Sequence, residues 1–113
     1  VRAALRRGRP SAPTTEMISG DIRIDLVARR AFLGEEELQF APREFELLIT
    51  LMRNQGAVLT RELLLSSVWG QDFIGDPRTV DVHIRWLRQK IERDPSEPER
   101  IQTVRGIGYR FEA

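Results

Sequence analysis

The chain has 113 residues, a length that suits one domain with a hydrophobic core but not two. Apolar residues make up 41% and charged residues 31%, as in globular proteins and unlike disordered or membrane-spanning chains. With no cysteine and a single histidine, His83, the chain excludes disulfides and thiolate or multi-histidine metal sites, and we predict no metal, cofactor or catalytic residue. The lack of an apolar run and of a secretory signal favours a cytoplasmic location without membrane contact.

The net charge of +1 is unevenly distributed along the chain. Residues 1–20 carry a net +3, residues 21–76 a net −4 and residues 77–113 a net +2. An acidic body with a basic C-terminal region indicates a directed charged surface, although a solvated basic helix face gives the same pattern.

Residues 16–40 are predicted to form three or four short antiparallel strands. Ile22, Ile24 and Leu26 alternate with charged residues, the period-two pattern of a strand with one apolar face. A turn at residues 34–36 then separates two further strands, since glycine tolerates the backbone conformation of a tight hairpin.

A first helix is predicted to begin at Pro42 and to end near Gly56. Its apolar residues are spaced as one helical stripe: Phe45, Leu48, Ile49 and Met52. Ala41 lacks the side-chain oxygen that usually caps a helix, so we expect this end to be poorly capped.

After the brief apolar pair Val58 and Leu59, a second helix is predicted from Arg61 to about Val68. Thr60 is a plausible N-cap for it. We expect the helix to bury Leu63, Leu64 and Val68, and residues 71–76 to form a loop.

The third helix is the best-defined element, with Asp76 as a cap, Pro77 in the first turn and an end near Arg93. Its apolar residues form one narrow stripe: Val80, Ile84, Leu87 and Ile91. The opposite face carries Arg78, Val82, Arg85, Gln89 and Arg93, with Thr79 and Trp86 beside it.

Residues 101–111 are predicted to form a β-hairpin around a glycine-containing turn. A short helix, a loop and a helix with a basic outward face match the geometry of a recognition helix in a DNA major groove. The hairpin would place Arg105 at its tip, where it can enter a narrow minor groove. Together these elements predict an α+β fold of the winged helix-turn-helix class.

Four blocks of the sequence resemble the OmpR/PhoB family of response-regulator effector domains. They are residues 42–48, residues 60–64 with 68–70, residues 78–84 with 87–88 and 90–91, and residues 103–111. The likeness covers about residues 16–113. It implies an N-terminal antiparallel sheet, three helices and a C-terminal hairpin wing that bind double-stranded DNA to control transcription, without enzymatic activity.

The resemblance also implies partners and a domain boundary. Residues 1–15 resemble the end of a receiver domain's last helix and a linker, and residues 16–113 the DNA-binding domain. Members of the family bind direct-repeat DNA sites as head-to-tail homodimers. They contact RNA polymerase through the loop between the second and third helices, here Trp69 to Pro77.

The family's DNA contacts map onto individual positions of this chain. Phosphate contacts fall on Arg61, Trp69, Arg78, His83, Arg85, Arg88 and Tyr109. The minor-groove arginine falls on Arg105, and the base-facing positions on Thr79, Asp81, Val82 and Trp86. Trp86 is the main departure, because many members carry a basic residue there.

Other interpretations stay open beside this one. A winged helix can dock an acidic protein partner through Val82 and Trp86 instead of DNA, and receiver-less or membrane-tethered regulators use the same fold. His83 can make a structural hydrogen bond, Trp69 can pack on the core, and Trp86 can pack on a neighbouring protomer or loop.

Overall fold

The structure, a computed structural model, describes residues 15–70 and 75–112. The proposed linker and receiver remnant therefore lie, except for Thr15, outside the described residues, as do residues 71–74 of the loop. The elements in chain order are β1 (Glu16–Ser19), β2 (Ile22–Asp25), β3 (Arg30–Leu33), β4 (Glu36–Leu38), α1 (Pro42–Arg53), β5 (Val58–Thr60), α2 (Arg61–Val68), α3 (Arg78–Ile91), β6 (Ile101–Val104) and β7 (Gly108–Phe111). No helix within the two described ranges has the length and apolar character to cross a bilayer.

The N-terminal strands form the predicted antiparallel sheet, in the order β1-β2-β3-β4. Its inner face is apolar because Ile22 and Ile24 alternate with outward residues, and both are fully buried. Leu26 does not extend this strand: the Asp25 carboxylate accepts hydrogen bonds from the amides of Val27 and Ala28, each at 3.0 Å, and turns the chain.

Helix α1 buries the predicted stripe and also Leu47 and Leu51, because it packs against both α2 and α3. Its N-terminus corrects the expectation of poor capping. Ala41 offers no side-chain cap, but Glu44 Oε1 accepts the Ala41 amide at 2.7 Å, which is one half of a capping box. The same oxygen also receives Lys90 Nζ from α3 at 2.8 Å.

Helix α2 begins where predicted, since Thr60 Oγ1 accepts the amide of Leu63 at 3.0 Å. The prediction that Leu63 is buried is wrong, because its side chain is 49% exposed. Leu64 and Val68, four residues apart, define the face that packs inward, and Leu63 lies about 100° away from Leu64 around the helix axis.

Strand β5, which the brief pair Val58–Leu59 did not predict, joins the C-terminal hairpin in a sheet of order β5-β7-β6. The hairpin β6–β7 with its turn is the wing. Glycine is required at position 108, where β7 lies against β5, because a Cβ built there would lie 2.0 Å from the Leu59 carbonyl oxygen. Thr60 pairs with Gly108 in this register.

Helix α3 begins at Arg78, one residue later than predicted, because Pro77 is the N-cap residue and not part of the first turn. Asp76 Oδ1 accepts the amide of Arg78 at 2.9 Å, so Asp76 does bond to the helix start. The helix ends at Ile91, two residues before the predicted end, because Glu92 adopts an extended conformation. The buried Glu92 carboxylate accepts hydrogen bonds from three successive amides that lead into β6, those of residues 99, 100 and 101.

Candidate nucleic-acid interface

Helix α3 turns its apolar stripe inward and its cationic side to solvent. The four stripe residues are at most 1% exposed: Val80, Ile84, Leu87 and Ile91. The opposite face is exposed along the helix and beyond its end: Arg78, Val82, Arg85, Gln89 and Arg93. The predicted orientation of this helix is confirmed, and no part of the described chain covers its basic side.

The wing lies directly beside this helix. Arg88 of α3 donates two hydrogen bonds to the carbonyl oxygen of Ile101, from Nε at 3.1 Å and from Nη2 at 2.8 Å. Its Nη2 also donates to Thr103 Oγ1 at 2.8 Å. At the tip of the wing, Arg105 is exposed and Gly106 takes the turn conformation with φ of +80°. Hydrogen bonds thus hold the wing against α3, and Arg105 is exposed at the end of the wing.

Asp81 of α3 bonds to residues of two other elements, α2 and β7. Its Oδ1 accepts the hydroxyl hydrogen of Tyr109 from β7 at 2.5 Å, and lies 3.1 Å from Arg61 Nε of α2. Burial of Tyr109, together with its hydrogen bond to the Asp81 carboxylate, raises the pKa of the phenol to about 12. The phenol is therefore a neutral donor at physiological pH. Its one hydrogen is donated to Asp81, so it is not simultaneously available to a phosphate.

Trp69, His83 and Trp86 form an aromatic cluster between the end of α2 and the outer side of α3. The His83 ring centroid lies 4.8 Å from the Trp69 ring and 4.8 Å from the Trp86 ring. His83 Nδ1 donates a hydrogen bond to the Thr79 carbonyl oxygen at 2.8 Å. The structural interpretation of His83 is thus confirmed, and the ring also supports Trp86.

The predicted site residues differ in how far their side chains are exposed. Val82 and Trp86 are 43% and 42% exposed, and Arg78, Arg85 and Arg105 are exposed as well. Thr79, Asp81, His83 and Arg88 are half-buried on α3, Arg61 is exposed on α2, Trp69 is half-buried just after it, and Tyr109 is buried. In the described part of the chain, no cluster of three or more histidine or acidic side chains is arranged to hold a metal ion.

Sequence reasoning missed the residues that attach the wing to α3. Thr103 and Ile101 accept hydrogen bonds from Arg88, and Glu92 accepts hydrogen bonds from the amides that lead into β6. These partners are separated by 7 to 15 residues along the chain. No local periodicity reports such pairs. The glutamate immediately after the apolar stripe of α3 was the available signal, since a carboxylate there can accept the amides of the returning chain.

Residues 34–111 match the family described as "Transcriptional regulatory protein, C terminal". The chain is 47% identical over 121 residues to the alkaline phosphatase synthesis transcriptional regulatory protein PhoP of Bacillus subtilis, covering 99% of this chain and 50% of that protein. It is 43% identical over 116 residues to the sensory transduction protein RegX3 of Mycolicibacterium smegmatis, covering 99% and 51%. The chain thus spans about half the length of these curated relatives.

Two solved structures share the fold. The response regulator DrrB of Thermotoga maritima, an OmpR/PhoB homologue, superposes with a TM-score of 0.82 at 37% identity, covering 88% of this chain and 45% of that one. The RstA DNA-binding domain of Klebsiella pneumoniae, in complex with the RstA box, gives 0.79 at 35% identity, covering 88% and 98%. On the matched family, the homologues and the shared winged-helix geometry, the chain belongs to the C-terminal DNA-binding domains of OmpR/PhoB response regulators.

Proposed function

We propose that this domain binds double-stranded DNA at specific sites and so controls transcription as the effector of a two-component system. One observation carries the proposal: the exposed cationic face of α3 lies beside a wing whose tip presents Arg105. A B-DNA major groove is wide enough to admit an α-helix, and a hairpin beside that helix can reach the neighbouring minor groove.

The assignment of individual contacts follows exposure. Arg78 and Arg85 project from α3 and suit phosphates, while Arg105 suits the strongly negative minor groove of an A/T-rich flank. The further proposed phosphate contacts are Arg61, Trp69, His83, Arg88 and Tyr109, and the proposed base-facing residues are Thr79, Asp81, Val82 and Trp86.

Existing bonds of two of these residues constrain their roles. Arg88 is already bonded to the wing, so its contact with a phosphate uses the part of the guanidinium that faces away from Ile101. Tyr109 can donate to a phosphate only by exchanging its bond to Asp81. Both residues therefore hold neighbouring elements of the protein in place before any DNA is bound.

The partners of the whole protein are proposed with the same function. Its relatives are about twice as long and are named as transcriptional regulatory and sensory transduction proteins, which supports a receiver domain N-terminal to this one. We propose head-to-tail pairs on direct-repeat sites, contact with RNA polymerase through the Trp69–Pro77 loop, and a bacterial cytoplasmic location.

A salt titration tests the DNA-binding proposal. Duplexes selected from a random library are compared with unselected duplexes by fluorescence anisotropy. Because each neutralised phosphate releases counterions, log K should fall with log salt by about 0.9 per contact. Arg78→Ala should lower this slope by about one contact. Arg53→Ala, which removes an exposed charge at the end of α1, is the matched control.

Arg105→Ala should weaken binding chiefly on duplexes with A/T-rich flanks, since it removes the proposed minor-groove contact. Equal affinity for selected and unselected duplexes, or binding that does not change with salt, would contradict the proposed function.

A further inference from the structure

Two apolar side chains stand at the centre of the cationic face of α3. Val82 is 43% exposed and Trp86 is 42% exposed. They are four residues apart, so their Cβ atoms lie about 5–6 Å from each other on the same side of the helix. Together they form the Val82–Trp86 patch. Arg78 and Arg85, both exposed, flank it along the helix.

The patch is braced from within the protein. The Trp86 ring packs against His83, with 4.8 Å between ring centroids, and His83 is held by its hydrogen bond to the Thr79 carbonyl and by its edge contact with Trp69. The indole is therefore supported on one side while two-fifths of its surface stays open to solvent. A side chain ordered in this way loses little conformational freedom on binding.

The charges around the patch restrict what can cover it. Exposed arginines on the helix and at the wing tip favour a polyanion over an apolar protein surface. Within a DNA major groove, the C5-methyl group of thymine is the apolar feature that a base pair presents, whereas the other groups are hydrogen-bond donors and acceptors. Val82 has no polar atom with which to bond those groups.

We infer that the Val82–Trp86 patch recognises neighbouring thymines of each DNA half-site through their C5-methyl groups. This inference rests on the proposed DNA-binding function, and it names the chemical group by which the domain distinguishes its DNA sites. Apolar contact thus replaces, at Trp86, the hydrogen bond or charge that a basic residue would provide. The site preferred by this domain contains thymines opposite the middle of α3.

Replacement of thymine by deoxyuridine tests the inference, because the two bases differ only by the methyl group. Each thymine of a selected duplex is replaced in turn, and affinity is measured at constant salt. Removing one buried methyl group should weaken binding about fourfold at one or two positions per half-site and leave other thymines unaffected.

The protein variants complete the test as a double-mutant cycle. Val82→Ala and Trp86→Ala should each bind the thymine and deoxyuridine forms more equally at the position that the lost side chain contacts. Gln89→Ala, on the same exposed face, should keep the wild-type ratio, and Arg105→Ala should weaken both forms equally. The wild-type comparison of the two bases does not depend on the folding of any variant.

The outcomes separate the inference from the function it rests on. Specific binding that ignores every thymine-to-deoxyuridine change overturns the inference and leaves DNA binding intact. An unchanged thymine-to-deoxyuridine ratio in both Val82→Ala and Trp86→Ala also overturns it. Absence of any preference between selected and unselected duplexes overturns the proposed function itself, and docking of an acidic protein would then account for the exposed patch.

Discussion

Removal of the Asp81 carboxylate should destabilise the domain by about 2–3 kcal/mol. Asp81→Ala leaves the hydroxyl of the largely buried Tyr109 side chain without its acceptor, and an unsatisfied buried polar group costs about 1–3 kcal/mol. The change also breaks the ion pair with Arg61, which contributes at most about 1 kcal/mol because both side chains are partly exposed. For a domain of this size, the melting temperature should fall by roughly 10 °C.

A double-mutant cycle attributes this loss to the hydroxyl bond. Urea unfolding, followed by tryptophan fluorescence, is measured for Asp81→Ala, Tyr109→Phe and the double variant. The Asp81→Ala change should cost about 1–2 kcal/mol less when residue 109 is already phenylalanine, since no hydroxyl is then left without a partner. Asp81→Asn, which keeps an acceptor oxygen, should be milder than Asp81→Ala.

The reasoning would be refuted by a coupling free energy near zero between positions 81 and 109. That result would mean that the Tyr109 hydroxyl finds another partner without cost. A fall in the denaturant slope rather than in the midpoint would instead indicate a change in the unfolded or native ensemble. That result would equally fail to support a stabilising hydrogen bond between Tyr109 and Asp81.

Three further predictions concern titration and packing. Tyr109 is the only tyrosine of the chain, so absorbance of its phenolate should report a folded pKa of about 12, and stability should fall from pH 10 to 12 because only the unfolded chain releases this proton. Gly108→Ala should cost about 3 kcal/mol or more in urea unfolding through overlap with the β5 backbone, against about 1–2 for Gly34→Ala, where only the positive φ is strained. Glu44→Ala should lower the free energy of unfolding by about 1–2 kcal/mol, because the Ala41 amide loses its cap and the partly exposed Lys90 loses its partner; an unchanged free energy of unfolding would contradict this.

Local periodicity was sufficient to predict α3 and the direction in which it faces. Val80, Ile84 and Leu87 recur at the helical period, and the free energy gained by burying them decides which face turns inward. The N-terminal strands and the wing followed from alternation and turn residues in the same way.

The missing parts depend on contacts between distant segments. Strand β5 exists because Leu59 pairs with Tyr109, fifty residues later in the chain. The exposure of Leu63 depends on which side of α2 meets α1. Neither composition nor spacing contains this information. The DNA contacts assigned by resemblance stay predictions, and for Tyr109 the structure adds a competing partner.

The attachment of the wing to α3 determines the spacing between the two grooves that the domain would contact. Glu92 holds the amides that lead into β6, and Arg88 holds the same strand one turn earlier on α3. The angle between recognition helix and hairpin is consequently set before any duplex arrives. In the proposed complex, the distance between the bases under α3 and the groove entered by Arg105 is therefore fixed by the protein, and the duplex must bend to match it. Sites with flexible base-pair steps at that interval are favoured.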